Sequence, residues 1–306
     1  MGYSAGMRGG SAILALTAAL TAAVPVSGQQ PAVEEITSRA SRYVALFFDR
    51  FSNVVAEERY RQDVTPLLRN NAIVSSRGGL PGAGVPRPVA AHRDLRSDFL
   101  LVFLPESNQT ITFRDTFLVD GAEVRDRQER LTKLFLRPLT TAVEQARAIA
   151  DESERYNIGN LQRTVNDPVL ALSFLQADRQ ERLAFVLDKA DPAAGADVWI
   201  VEYREQARPT FVRGPFDRDM PAYGRFWIEA ATGRVVKTEF VIQDPSVTAR
   251  VTTSFRTDDR FKVDVPSEML EDYTLATTQV RGRATYGRFR QFGVNTDETL
   301  NDDSRR

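Results

Sequence analysis

The sequence has no cysteine and a single histidine among its 306 residues. Without cysteine the chain can form no disulfide and offers neither a thiolate ligand to a metal ion nor a thiol nucleophile. Catalysis by a serine or cysteine triad needs a histidine held rigidly beside the nucleophile. The one histidine, His92, ends a stretch rich in glycine and proline, which favours a surface position. We therefore predict no metal site, no cofactor and no catalytic triad.

Long apolar runs are also missing, apart from one near the start of the chain. Residues 11–26 are small and apolar, follow a short positively charged segment and precede the small residues Ser27 and Gly28. This order is typical of a secretory signal, which we predict to be residues 1–28. The alternative is a retained anchor, but the run is about 16 residues where about 20 are needed to cross a bilayer. We expect a periplasmic or extracellular protein that does not span the membrane once the signal is removed.

The sequence lacks an excess of charge of either sign. Its 40 basic and 41 acidic residues leave a formal net charge of −1. Nucleic-acid binding needs a basic field, so nucleic acid is not expected as a partner. Only four of the 40 basic residues are lysine. Arginine binds carboxylate and phosphate through paired hydrogen bonds, which suggests an anionic ligand, whereas the alternative is codon usage in a GC-rich genome.

The clearest structural pattern lies in residues 223–255, which predict three antiparallel strands. Each arm is rich in β-branched and aromatic residues, and the breaks at residues 231–234 and 243–246 contain glycine, proline, aspartate or serine. Apolar and charged residues alternate along the arms, so one face of the sheet is apolar and the other is charged. Such a sheet must cover its apolar face with another element.

Three helices are predicted beside the strands. Residues 31–52 place apolar side chains three and four positions apart and have two glutamates in the first turn. Residues 141–156 show the same spacing. The third helix begins at Asp167-Pro168 and is apolar on almost every side, which is typical of a buried helix.

Other segments rich in strand-forming residues complete the predicted sheet, at residues 54–64, 95–104, 110–119, 122–125, 182–189, 198–205 and 282–294. Two stretches rich in glycine or proline are predicted as loops: residues 67–92, either a flexible insertion or a lid, and residues 206–221. Residues 295–306 are polar and predicted to form a disordered tail. With about ten strands and no interior linker, residues 29–294 are predicted to form one α+β domain.

Two groups of residues are candidates for chemistry. Any close pair of the 41 acidic residues offers the two carboxylates of a glycoside hydrolase, although Trp227 is predicted to pack against Arg225 or a loop rather than on a sugar. The second group is an arginine cluster in and around residues 206–221, which either binds an anionic headgroup or pairs with nearby carboxylates. The arginines are Arg204, Arg208, Arg213, Arg218 and Arg225, and the carboxylates are Glu202, Glu205, Asp217, Asp219 and Glu229.

Residues 224–240 resemble the strand–Asp-x-x-Thr-Gly–strand hairpin of the outer-membrane lipoprotein carrier family, the lipoprotein localisation factors, with Glu229-Ala230 where Asp-Pro is common. Val265-Pro266 is similar to the pair that closes the meander in that family, and Asp167-Pro168 to the start of its plug helix. Residues 67–92 and 281–294 are longer than a simple carrier needs. The chain is also similar to secreted bacterial proteins of unknown function.

The resemblance implies a curved antiparallel sheet, or half-barrel, with an N-terminal helix and a helical plug on its concave face. It also implies a non-enzymatic carrier that holds a lipid, an acyl chain or a lipidated protein on that face. Twelve apolar side chains are candidates to line it: Phe47, Phe51, Phe99, Phe113, Phe117, Leu170, Phe174, Phe185, Phe226, Ile228, Phe240 and Phe255. The alternative is that these side chains pack on one another and leave no cavity. Two further hypotheses are an envelope interaction domain that docks through residues 206–221 and a hydrolase that uses two carboxylates.

Overall fold

The structure is a computed structural model that describes residues 30–52, 54–67, 89–104, 109–124, 148, 149, 151–159 and 165–291. Several predicted segments lie wholly or mostly outside these residues: the signal at 1–28, the loop at 67–92, the first part of the helix at 141–156 and the tail at 295–306. Within the described ranges, no helix is long and apolar enough to cross a membrane.

Helix α1, Val33–Phe51, opens the described fold. Glu34 and Glu35 lie in its first turn and Arg50 in its last, so the charges complement the helix dipole at both ends. The apolar residues that recur three and four positions apart form its buried side: Ile36, Ala40, Val44, Phe47, Phe48 and Phe51. The helix predicted for residues 31–52 is therefore confirmed, and its apolar spacing forms the buried side as expected.

The remaining elements are mostly strands. In chain order they are β1 (Val54–Pro66), β2 (Ala91–Leu104), β3 (Gln109–Val119), β4 (Ala122–Glu123), β5 (Leu183–Ala190), β6 (Val198–Glu205), β7 (Arg213–Gly214), β8 (Arg218–Asp219), β9 (Ala222–Glu229), β10 (Val235–Asp244), β11 (Val247–Asp258), β12 (Val263–Leu275) and β13 (Thr278–Gln291). Eleven of them form one antiparallel sheet in the order β4-β3-β2-β1-β13-β12-β11-β10-β9-β6-β5, while β7 and β8 pair separately. The sheet is open, and its curvature brings α1 into contact with β2, β5, β9 and β12. The predicted α+β half-barrel is confirmed.

Two strand predictions need correction. The sequence does not predict β12, because Pro266 interrupts its pattern; the chain accommodates this proline beside a bulge, where Phe255 pairs with Pro266 and Ser254 with Glu268. Strand β2 begins at Ala91, inside the range predicted as a flexible loop. His92 is paired there with Asp63 of β1.

The strand registers divide the side chains between two faces. One row across the sheet is buried and consists of Tyr60, Ala284, Met269, Thr253, Thr238, Phe226 and Val201. The neighbouring row points to the convex side and consists of Arg61, Arg283, Leu270, Thr252, Glu239, Arg225 and Glu202. The sheet thus has the apolar face and the charged face that the alternation predicts.

A short helical segment, residues 165–180, covers the apolar face beside α1; we call it the plug. It contains a 3₁₀ helix, Ala171–Leu175, and one turn of α-helix, α2, Ala177–Gln180. The third helix predicted from Asp167-Pro168 is therefore a 3₁₀ helix preceded by turns, although it is buried as expected. Phe174 is fully buried against the rings of Tyr203, Phe211 and Phe240, so this part of the plug gains more from packing than from extending its helix.

The turn between β9 and β10 supports α1 directly, so we predict a large cost for Gly233→Ala. Gly233 has φ +78°, and an added Cβ would lie 2.3 Å from the carbonyl carbon of Arg39 in α1. Gly121 also has a positive φ, +83°, but an added Cβ there meets nothing within 4 Å. Gly121→Ala should therefore lower the free energy of unfolding by about 1 kcal/mol, from backbone strain alone, and Gly233→Ala by about 3 kcal/mol or more. Equal losses in urea unfolding would contradict the close contact with α1.

Candidate functional site

The candidate site is the apolar concave face together with the elements that cover it. Ten of the twelve predicted lining residues are buried, and Leu170 and Phe185 are half-buried. Ten of the twelve also belong to or pack against one continuous core: Phe47, Phe51, Phe99, Leu170, Phe174, Phe185, Phe226, Ile228, Phe240 and Phe255. The structure therefore brings these ten side chains together.

Phe113 and Phe117 lie on the other side of β3. Phe113 pairs with Leu100, the neighbour of Phe99, so its side chain points away from the concave face. Phe117 is the unpaired residue of a bulge, because Thr116 pairs with Ser97 and Leu118 with Arg96. The Arg96 guanidinium lies over the Phe117 ring at 5.8 Å. These two phenylalanines are buried, but outside the concave core.

Aromatic rings of the concave face contact the rings of the elements that cover it. From α1, Phe47 meets Phe255 at 5.9 Å and Phe51 meets Phe99 at 6.4 Å between ring centroids. From the plug, Phe174 meets Phe240 at 6.0 Å. These separations are typical of favourable edge-to-face and offset pairs. In the structure the predicted lining residues fill much of the space between sheet and cover with their own side chains.

A buried polar cluster interrupts this apolar interior near β1 and β3. Glu58 is fully buried and accepts hydrogen bonds from Arg114 Nε at 2.6 Å and from the Tyr286 hydroxyl at 2.8 Å. Burial and the neighbouring Glu58 carboxylate raise the pKa of Tyr286, so its hydroxyl stays protonated and acts as the donor. Sequence reasoning missed this cluster, because Glu58 and Tyr286 are 228 positions apart and only the strand register brings them together.

The same cluster holds the start of the plug. Arg114 Nη2 donates to the Asn166 carbonyl oxygen. The Asp167 carboxylate accepts hydrogen bonds from the Thr112 hydroxyl at 2.5 Å and from the Val169 amide at 2.9 Å. Burial raises the pKa of the Asp167 carboxyl, an effect that the two hydrogen bonds only partly offset. The bond to Val169 holds the turns that precede the 3₁₀ helix; the helix itself begins at Ala171 after Leu170, without a side-chain cap.

A small cleft lies between this polar cluster and the segments that cover it. Its volume is about 130 Å³, and polar side chains from β3 and residues 153–167 line much of it, among them Arg114, Ser153 and Asp167. Sites for small organic ligands usually measure about 300–1,000 Å³. The cleft is therefore too small for an acyl chain while the plug is in the observed position.

The loop at residues 206–221 contacts the plug through Phe211. The Phe211 ring stacks on Phe174 at 4.9 Å, and the Arg182 guanidinium covers it from outside at 4.7 Å. The base of the loop is held by Glu205, which accepts hydrogen bonds from the amides of Phe211 and Ala222 at 2.7 and 3.1 Å. This loop and the plug therefore share one packed aromatic contact.

The arginine cluster around this loop is mostly paired with carboxylates. Arg208 lies 3.7 Å from Asp219, and Arg213 lies 2.8 Å from Asp217. Arg218 pairs with Asp244 and Arg225 with Glu239, partners that the sequence does not predict. Arg204 lies over the Tyr223 ring at 5.3 Å. The structure therefore agrees better with arginines that pair with nearby carboxylates than with arginines that together bind an anionic headgroup.

Two further candidate side chains, His92 and Trp227, form hydrogen bonds with neighbouring carboxylates. His92 lies between Asp63 at 2.8 Å and Asp94 at 3.0 Å, and its hydrogen bonds to Asp94 and Asp63 raise its pKa. The Trp227 indole donates to Asp191 at 2.9 Å, with Arg225 over its ring as predicted. Within the part of the chain that the structure describes, no three His, Asp or Glu side chains are grouped as metal ligands.

Comparison with known proteins finds only distant similarities to solved structures. No protein-family model matches the sequence, and no protein of curated function matches it. A domain described as an outer membrane lipoprotein-sorting protein domain, from Vibrio parahaemolyticus, matches with TM-score 0.36 and 11% identity over 86% of this chain and 96% of its own. A DUF1329 family protein from Desulfovibrio piger matches with TM-score 0.35 and 10% identity over 88% of this chain and 95% of its own.

A third solved structure, of lipid–protein interactions in lipovitellin, has TM-score 0.22 and 9% identity, and the match spans 79% of this chain but 26% of that protein. All three similarities are distant. The first is of the lipoprotein-sorting kind that the hairpin at residues 224–240 resembles.

The buried carboxyl of Asp167 makes a testable prediction about pH. Its folded-state pKa lies above the ordinary value of 3.8, so the folded state holds this proton more tightly than the unfolded state does. Its contribution to stability is therefore greatest below pH 3.8 and decreases as the pH rises through the folded-state pKa. Asp167→Asn cannot lose a proton, and the variant should gain stability relative to the parent as the pH rises from about 4 to about 7.

Asp217→Asn is the matched control, because the pKa of Asp217 is shifted in the opposite direction. Arg213 lowers the pKa of Asp217, so that carboxylate stabilises the fold above pH 3.8 and the effect is lost as the pH falls. Urea unfolding from about pH 2 to about pH 7 measures both variants, since the Asp217 effect lies at the acid end of this range and the Asp167 effect lies above pH 3.8. A pH-independent difference for Asp167→Asn, or slopes of equal sign for the two variants, would contradict the burial of Asp167.

Proposed function

We propose that this chain is a non-enzymatic binding protein of the cell envelope, exported by its N-terminal segment, that carries a lipid, an acyl chain or a lipidated protein on its concave face. The observation that supports the proposal most is the kind of cover that this face has. Helical segments shield the concave face. A second sheet in their place would form a sandwich that could not open. A helical cover can move aside without breaking a strand ladder.

The plug is attached to the sheet by few polar contacts. Among the described residues they are the bond from Thr112 to Asp167 and the bond from Arg114 to the Asn166 carbonyl. At its other end, Gln180 donates to the Thr37 carbonyl of α1 at 2.9 Å. Each bond of this type contributes about 1 kcal/mol net, and bonds to charged groups contribute somewhat more. Apolar contacts therefore supply most of the attraction that holds the plug in place.

A hydrophobic ligand can replace those apolar contacts with its own. Leu172, Phe174 and Leu175 are fully buried in the plug, and burying each such side chain contributes about 1.5–3 kcal/mol. An acyl chain lying on the concave face would contribute through the same effect. Because the existing cleft is small, this proposal requires the plug to leave at least part of its place when the ligand binds.

The test is saturable binding of a fluorescent fatty-acid probe to residues 29–306, with an expected stoichiometry of one probe per chain. Phe174→Ala should raise probe affinity about tenfold or more, because it removes up to about 3–5 kcal/mol of plug packing. Gln180→Ala is a milder second variant that removes the bond to Thr37 and leaves the core intact. It should raise affinity severalfold.

Phe216→Ala is the matched control, since it removes the same ring from a fully exposed position. It should leave probe affinity unchanged. Binding that does not saturate, or that appears only in denaturant, would contradict the carrier function. The same holds if Phe174→Ala and Phe216→Ala give equal affinities.

One observation favours the second function, an interaction domain with a filled core. Phe216 is fully exposed at the tip between β7 and β8, and both Phe216 and Asp217 have φ 56°. Such a backbone is costly for a bulky residue, and Arg213 holds it through Asp217 and Asp219. A rigidly presented phenylalanine is suited to contact another envelope protein.

This alternative predicts that an immobilised wild-type chain retains an envelope protein that the Phe216→Ser variant does not. Val186→Ser is the control, because Val186 is also exposed but lies on β5. If retention is equal for Phe216→Ser and Val186→Ser, the loop is not a docking site. Retention without any fatty-acid binding would favour this function over the carrier.

A further inference from the structure

The convex face of β1, β13 and β12 carries exposed arginines that are not explained by the carrier function. Arg59, Arg61, Arg281 and Arg283 have side chains that are 62%, 63%, 68% and 66% exposed. The carboxylates among them, Asp63, Asp272 and Glu268, are 50%, 39% and 31% exposed, so the positive groups stand further out. We propose that this face binds an acidic segment of a partner protein.

The strand register places like charges directly opposite each other. Arg61 of β1 is paired with Arg283 of β13, and Arg59 is paired with Arg96 of β2. Like charges in directly opposed positions destabilise a sheet. Part of this repulsion is compensated within the sheet, because Asp94 of β2 is paired with Arg61 on its other side and Glu57 lies beside both Arg59 and Arg96. An anionic ligand between Arg61 and Arg283 would reduce the repulsion between these two further.

The hydrogen-bonding groups at the ends of these side chains are available. In each case the nearest carboxylate lies beside Nε: Asp63 is 3.7 Å from Arg61, Asp272 is 3.4 Å from Arg281, and Glu268 is 2.6 Å from Arg283. The Nη1 and Nη2 groups of these three arginines donate no hydrogen bond to any residue in the described ranges. Guanidinium groups of this kind bind carboxylates through two parallel hydrogen bonds.

A groove of about 400 Å³ lies between these arginines. Three arginines line it, Arg250, Arg281 and Arg283, together with the carboxylates of Asp63, Glu271 and Asp272. Arg250 is paired with Glu239, so Arg281 and Arg283 are the arginines that would hold a ligand here. The side chain of Leu270, which is 44% exposed, contributes an apolar surface. This volume is within the range of small-ligand sites, about 300–1,000 Å³. The groove therefore has room for an apolar side chain beside the carboxylates that the arginines would bind.

Two features favour a peptide over an anionic bilayer. Asp63, Asp272 and Glu268 lie among the arginines, so a uniformly negative surface would be repelled at three points, whereas a peptide can place its carboxylates only where arginines stand. The surface is also convex, which limits the area that a flat bilayer can contact. Since β1, β13 and β12 are interior strands of the sheet, the peptide would bind through side chains rather than by adding a strand.

The test uses a labelled peptide, Asp-Glu-Thr-Leu-Asn-Asp-Asp, in which acidic residues surround a leucine; this sequence occurs in the chain as residues 297–303. Fluorescence anisotropy with residues 29–306 should show saturable binding that weakens severalfold as salt rises from about 50 to about 300 mM. Arg61→Glu with Arg283→Glu should weaken binding at least tenfold, which is about 1.4 kcal/mol. The same peptide with Asn and Gln in place of its acids should not bind.

The control is Arg42→Glu with Arg208→Glu, which makes the same change in net charge at exposed arginines of α1 and the loop at residues 206–221. It should leave peptide affinity unchanged. The single variant Arg61→Gln removes one arginine of the opposed pair without placing a new acid beside Asp63 and Asp94. It should therefore fold about as well as the parent and still bind the peptide severalfold more weakly.

Three results would overturn the proposal. Equal losses in the two double variants would show that only net charge matters. Binding that appears only after residues 295–306 are deleted would assign the groove to the chain's own acidic end. Binding of phosphatidylglycerol vesicles that depends on Arg61 and Arg283, without binding of the peptide, would assign it to a bilayer.

Discussion

The apolar face of a single antiparallel layer must be kept from water, and this requirement determines where α1 and the plug lie. The row from Tyr60 to Val201 is buried although the described residues place no second sheet against it. Helix α1 covers one part of this face with Phe47 and Phe51, and the plug covers another with Phe174. Stability and access to the interior therefore depend on the same contacts, because any ligand that reaches the apolar face has to replace a part of its cover.

The buried polar cluster gives this cover a defined position. An apolar plug alone could settle on an apolar face in several ways. The bonds from Arg114 to the Asn166 carbonyl and from Thr112 to Asp167 are directional, and they form only when the start of the plug lies beside β3. Glu58 compensates the charge of Arg114 within the interior. Removing either partner would leave a buried charge unpaired, which costs far more than the pair contributes to stability.

Sequence patterns predicted the elements whose cause is local. The alternation in residues 223–255, the turn at residues 231–234 and the spacing of apolar residues in α1 each depend on neighbours within a few positions. The features that the sequence did not predict depend on the register between strands. Strand β12 contains Pro266, which only the adjacent bulge makes acceptable, and the pairing of Phe113 with Leu100 puts Phe113 and Phe117 on the face opposite to Phe99. The pairing of Glu58 with Arg114 joins positions 56 residues apart, and periodicity within a strand carries no information about which residues it will face. For the same reason the opposition of Arg61 and Arg283 becomes visible only in the structure.

The central claim is that the plug can leave the sheet while the sheet stays intact. Native-state hydrogen exchange, read with and without a saturating fatty acid, tests it most directly. The ligand should speed exchange of the amides in residues 169–176, while the amides of β9 and β10 remain protected. Slower exchange in the plug on adding the ligand, or equal loss of protection in the plug and in β10, would contradict it.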